Sequence, residues 1–149
     1  MTSRPSPVRL AAALALAAGF ATAAHADDVA ALAAAAKEPG AVVTPSGLVF
    51  KSIKEGTGAS PKATDSVKVL YRGMFPDGKV FDESRDGPIP LPLNGVIKCW
   101  TEGLQKIKVG GKAKLTCPSA IAYGPRGAGG VIPPNATLVF EVELVSIGT

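Results

Sequence analysis

One imidazole and two thiols are all that this 149-residue chain offers for the commonest kinds of nucleophilic and metal chemistry. The imidazole, His25, lies in an N-terminal stretch with the look of a removable leader, which leaves a mature chain without histidine. Ser-His-Asp and Cys-His pairs, His-ligated zinc and imidazole acid–base catalysis all need a residue that is then missing. Two Cys cannot by themselves complete a structural zinc site, so no metal is expected. Gly110-Gly111-Lys112 lacks the preceding glycine of a phosphate-cradling loop, and Gly127-Ala128-Gly129 lacks the third glycine of a dinucleotide fingerprint. Both are turns in this reading, and no cofactor is expected. What remains for chemistry is twelve carboxylates and eight aromatic side chains: one Trp, two Tyr and five Phe. Taken singly, Trp100 and Phe140 are ordinary core residues and Asp82 an ordinary turn carboxylate.

Several elements must position these groups. Arg4 and Arg9 precede an uncharged Ala/Leu run from Leu10 to Ala24, followed by Ala24-His25-Ala26, the order of a secretory signal peptide. The apolar run falls short of the ~20 residues that a bilayer core requires. No Cys stands at the cleavage point to take a lipid. Residues 1–26 therefore read as a cleavable leader, and the product as an exported, periplasmic protein without a stable membrane anchor. Loss of Arg4 and Arg9 lowers the formal charge of +4 by two. Lys106, Lys108, Lys112 and Lys114 cluster without interleaved aromatics, as a solvated face does, so nucleic acid is not an expected partner.

Residues 27–38 (DDVAALAAAAKE) are strong helix formers with acidic residues at the start, stopped by Pro39-Gly40. They predict a short docking helix or frayed tail within an N-terminal linker segment, 27–46. Beyond it, Val67, Val69 and Tyr71 alternate with Lys68 and Arg72, as Ala113, Leu115 and Cys117 do with Lys112, Lys114 and Thr116. Leu138, Phe140, Val142 and Leu144 share a face opposite Glu141 and Glu143. Ile97, Trp100, Leu104 and Ile107 instead recur at helical spacing. The two periodicities together predict an α+β domain: a mostly antiparallel sheet of about five strands curved around one short helix.

Three segments carry a resemblance. VKVLYRGMFPDGKVFDES (67–84), GVIKCWTEGLQKIKVGGKAKL (95–115) and AYGPRGAGGVIPPNATLVFEVEL (122–144) resemble, in order and approximate spacing, the FKBP-type peptidyl-prolyl cis-trans isomerases. The resemblance covers about residues 47–147 and identifies 47–149 as one domain. It implies a hydrophobic proline pocket with Trp100 as floor and Tyr71, Phe81 and Phe140 as aromatic walls. Val96 and Ile97 match the pair before the helix, where the Ile97 N–H would hold a substrate carbonyl. Tyr123 matches the tyrosine whose hydroxyl reaches the peptide, Asp82 the carboxylate beside the pocket, Ile89 a wall position and Ile132 the flap. The implied partners are proline-containing unfolded or nascent exported proteins, with macrolides as inhibitors. The absence of a long dimerisation helix leans towards a monomer. A non-catalytic proline-binding or chaperone module using the same pocket is the alternative function. The chain departs from the family pattern at Cys99, where Gly often stands, at Ile89, where Phe is frequent, and at Ala128-Gly129-Gly130, where His-Pro-Gly is common. These departures bear on substrate preference and macrolide affinity.

Exported proteins meet an oxidising compartment, so Cys99 and Cys117 read first as a disulfide, with two buried free thiols as the alternative. The inward parity of Cys117 and the place of Cys99 beside Trp100 let them face each other. The absence of C-x-x-C argues against a redox-catalytic pair.

Overall fold

The computed structural model describes residues 28–148; the leader expected at 1–26 lies outside them. The fold is built on a seven-stranded antiparallel sheet: β1 (Ala41–Val43), β2 (Val49–Lys54), β3 (Ser66–Met74), β4 (Val80–Glu83), β5 (Ile89–Pro92), β6 (Lys112–Cys117) and β7 (Leu138–Ile147). The strands run in the order β1-β2-β6-β7-β3-β4, and β5 also pairs with β3. The sheet is open, since β1 at one edge pairs only with β2.

β3, β6 and β7 follow from the apolar alternation, and the sheet holds seven strands where about five are expected. β4 and β5 share the same edge of β3, β5 against Ser66–Val69 and β4 against Arg72–Met74. Proline supplies no ladder donor and belongs on such an edge, which suits the IPLP sequence of β5. β1 is too short to show a period.

The inward face of β7 carries Leu138, Phe140, Val142 and Leu144, all buried, with Glu141 and Glu143 on the other face. Helix α2 (Lys98–Leu104) packs over that inward face and closes a core with Val67, Val69, Leu93, Leu115 and Leu138. Trp100 and Leu104 are buried within the helix; Ile97 and Ile107, which complete the apolar stripe in the sequence, flank it as N-cap and following turn. Gly103 brings α2 close to the sheet, because a Cβ there would lie 2.8 Å from Leu115 Cδ1.

Register on the outer face is written in charge. Lys51 opposes Lys114, Lys114 opposes Glu141, Glu141 opposes Arg72, and Arg72 opposes Glu83, one row across β2, β6, β7, β3 and β4. Opposite charges directly across a strand pair stabilise it, and like charges do the reverse. The like pair in this row, Lys51 with Lys114, is bridged by Glu38, whose carboxylate accepts from Lys51 Nζ at 3.2 Å and Lys114 Nζ at 2.8 Å. Glu38 follows helix α1, described over residues 28–36, so the N-terminal segment docks on the sheet. Ala35 is buried, and the Asp28 carboxylate accepts from the Thr137 N–H at 3.2 Å. Among the described residues, no helix is long and apolar enough to cross a membrane.

Candidate functional site

A cavity of about 450 Å³ opens where β3, β4, β5 and α2 converge. Its lining is Tyr71, Asp82, Ile89, Leu91, Gly95, Val96, Ile97, Trp100, Tyr123 and Phe140. Each arrives by a simple rule. Tyr71 continues the inward parity of Val67 and Val69 on β3. Phe140 sits in mid-β7 between Leu115 on β6 and Gly73 on β3. Gly73 is required there, since a Cβ would meet Phe81 Cζ at 2.7 Å and Phe140 Cε1 at 2.9 Å. Trp100 is carried into the base of the cavity by α2. Tyr71 and Phe140 both meet it edge-on, with centroids 5.1 and 5.2 Å away at 78° and 86°. Such T-shaped pairs place a positive ring edge on a negative face and are favourable by about 0.5–1.5 kcal/mol beyond area burial.

The polar groups are few. The Tyr71 hydroxyl donates to Asp82 Oδ2 at 2.6 Å. Partial burial, then this hydrogen bond to the carboxylate, pushes the Tyr71 phenol up to about 12, so it stays protonated throughout the physiological range. The Ile97 N–H, at the N-cap of α2, bonds no other described residue. Tyr123, 40% exposed, stands on the loop beyond β6. Trp100 Nε1 is buried and has no partner among the described residues. Among the described residues, no group of three or more His, Cys, Asp or Glu gathers as a metal site. The arrangement can hold a compact apolar ring against Trp100 while an N–H and a hydroxyl meet the polar backbone around it.

Eight of the ten residues proposed from the sequence line this cavity, and two do not. Phe81 stands behind Phe140, edge-on at 5.7 Å, and against Phe75 at 5.0 Å, so it supports a wall without being one. Ile132 is buried and lines a separate groove with Phe75, Val131 and Pro133. Leu91 and Gly95 are lining residues that sequence reasoning missed. The half-buried alternation of Ile89 and Leu91 against exposed Pro90 and Pro92 is a period-two signal that could have found Leu91. Cys99 and Cys117 are joined as a disulfide, with Cα atoms 6.0 Å apart.

Comparison with known proteins agrees with this architecture. The model of the FKBP-type peptidyl-prolyl cis-trans isomerase family matches residues 58–145. The chain is 55% identical over 118 residues to the FKBP-type peptidyl-prolyl cis-trans isomerase FkpA of Aeromonas hydrophila, covering 78% of this chain and 44% of that protein. It is 53% identical over 114 residues to the FKBP-type 22 kDa peptidyl-prolyl cis-trans isomerase of Escherichia coli, covering 75% and 55% respectively. The chain thus spans about half the length of these curated relatives. A crystal structure of a peptidyl-prolyl cis-trans isomerase from Pseudomonas syringae pv. tomato matches with a TM-score of 0.79 at 38% identity, covering 86% of this chain and 96% of that one. With every cavity-lining residue inside the matched segment, the chain belongs to the FKBP-type peptidyl-prolyl cis-trans isomerase family.

Proposed function

We propose that this protein is a peptidyl-prolyl cis-trans isomerase that accelerates X-Pro rotation in exported proteins by seating the proline ring on Trp100. The observation that carries the reading is an apolar floor with edge-on aromatic walls beside an unengaged Ile97 N–H. Rotation of an X-Pro bond makes and breaks no covalent bond; the obstacle is lost amide resonance, a barrier of about 18–20 kcal/mol. The twisted amide is less charge-separated than the planar one, so a water-poor aromatic cavity favours it over the ground state. Each ~1.4 kcal/mol of that preference is tenfold in rate. In this mechanism the Ile97 N–H and the Tyr123 hydroxyl orient the peptide on either side of the proline. Asp82 fixes Tyr71 by accepting its proton-bearing hydroxyl, and no group transfers a proton. That division of labour suits a cavity without an imidazole.

Clients are proline-containing unfolded or nascent chains in the compartment to which the leader at 1–26 directs the protein, the bacterial periplasm. A protease-coupled assay on a proline tetrapeptide, with and without a macrolide competitor, tests the reading. Turnover suppressed by the macrolide is expected. Peptide binding without any rate above background would favour the non-catalytic module instead.

A further inference from the structure

The floor of the cavity has no polar anchor. Trp100 is buried, yet its indole N–H is left without a partner among the described residues. Its ring packs in the core and edge-on against Tyr71 and Phe140, contacts that lack the fixed direction of a hydrogen bond. The placement of the ring therefore depends on the placement of α2. That helix has only seven residues and no side-chain cap at Ile97, so it holds little position of its own.

Two contacts, one helical turn apart, lay α2 along β6. Cys99 and Gly103 share a helix face, and Leu115 and Cys117 share the inward face of β6. Gly103 lies against Leu115, a close contact that opposes approach but permits roll. Thr101 Oγ1 donates to Leu93 O at 2.6 Å and Ser46 Oγ to Glu102 Oε1 on the helix's other sides, hydrogen bonds that can lengthen or exchange with water, whereas the Cys99–Cys117 bond is the covalent stop to that roll. The same bond reaches a second part of the cavity. Cys117 ends β6, and Pro118 with the 3-10 turn Ser119–Ile121 leads directly to Tyr123. One crosslink thus joins the residue before the cavity floor to the strand end that launches the Tyr123 loop. Both cysteines are fully buried, which suits a permanent brace more than a redox switch.

We propose that the Cys99–Cys117 disulfide is a positioning element of the proline pocket, setting the rotation of α2 beneath Trp100 and its spacing from the Tyr123 loop. This rests on the proline-pocket reading above. A bond that only stabilised the fold would leave the folded enzyme's kinetics unchanged. The experiment compares three forms: oxidised protein, the same protein refolded in reductant with both thiols retained, and Cys99→Val/Cys117→Ala, which keeps apolar volume without the bond. All are assayed below their melting transitions, with circular dichroism confirming the folded state. The readouts are kcat and KM on a proline tetrapeptide, and acrylamide quenching of Trp100, the chain's only tryptophan. Both uncrosslinked forms should lose about tenfold in kcat/KM, as misplacement of binding groups does. Quenching should rise, and reoxidation of the reduced protein should restore both. Unchanged kinetics and quenching, with only a lower melting temperature, would overturn the proposal. If the oxidised protein itself shows no turnover, the isomerase reading fails, and quenching alone then decides whether the bond positions Trp100.

Discussion

Tyr71 and Asp82 stand eleven residues apart in sequence and 2.6 Å apart at the cavity wall, joined by one hydrogen bond. Asp82→Ala leaves the Tyr71 hydroxyl to water. Because Asp82 is an exposed strand residue, the fold should survive the change. The expected result is a loss of several-fold in kcat/KM on a proline tetrapeptide with an unchanged circular dichroism spectrum. Trp100→Ala should lose more, together with about 3–5 kcal/mol of stability, the usual range for truncating a buried aromatic. Chemical denaturation measured beside the kinetics separates the two effects. The pH profile follows from the same pair. The Tyr71 phenol is raised from 10.0 to about 12 in the fold, so its stabilising contribution is fully present below 10.0 and is lost as pH rises through about 12. With no imidazole or free thiol at the cavity, kcat/KM should stay flat from about pH 6 to about pH 9. A bell-shaped profile in that window would contradict a mechanism without proton transfer. The identities of the site residues were legible only through their resemblance to the FKBP-type pattern; parity alone marks Trp100 and Phe140 as core, which by burial they also are. Phe81 and Ile132 show the limit of residue matching. Whether an aromatic forms the wall or backs it depends on the glycine opposite, here Gly73, and on ring packing that sequence spacing does not encode.

At the scale of elements, legibility tracked length. β3, β6 and β7 are long enough to show alternation, and their inward faces are those the period assigns. β1 has three residues, too few for a period, and β5 alternates in only four residues of which two are proline, a composition that argues against a ladder strand. β5 nonetheless supplies Ile89 and Leu91 to the cavity, and its existence rests on pairing with β3. The N-terminal helix was legible from composition, but its attachment was not. Glu38 reaches Lys51 and Lys114 only because β2 and β6 lie side by side. The hydrogen bond from Lys114, then that from Lys51, holds the Glu38 carboxyl below its ordinary value of 4.5. Its contribution is therefore present above that value and is lost as pH falls through the lowered one. Glu38→Gln should cost at most about 1 kcal/mol at neutral pH, as partly exposed ion pairs do, and the difference from wild type should shrink in acid. Urea melts at neutral and acidic pH check this, with faster amide exchange expected around Ala35 in the variant.

The described residues join an open antiparallel sheet, two helices and a disulfide into a single scaffold around an apolar cavity. Its α+β class was legible because two periodicities, of two and of about 3.6 residues, occupy separate segments of the chain. The strand count was not, for the reasons visible in β1 and β5. The chain spans about half of the curated relatives it matches, yet every residue lining the cavity lies within the matched family segment. The account therefore predicts that this chain, by itself, turns over X-Pro bonds. Nuclear magnetic resonance exchange spectroscopy on a short X-Pro peptide, with substoichiometric protein, reads that claim without a coupling protease. The uncatalysed interconversion takes tens of seconds or more. Exchange cross-peaks between cis and trans resonances should appear on adding the protein and vanish when a macrolide fills the cavity; a peptide that binds while its cis–trans exchange stays at the uncatalysed rate would contradict the account.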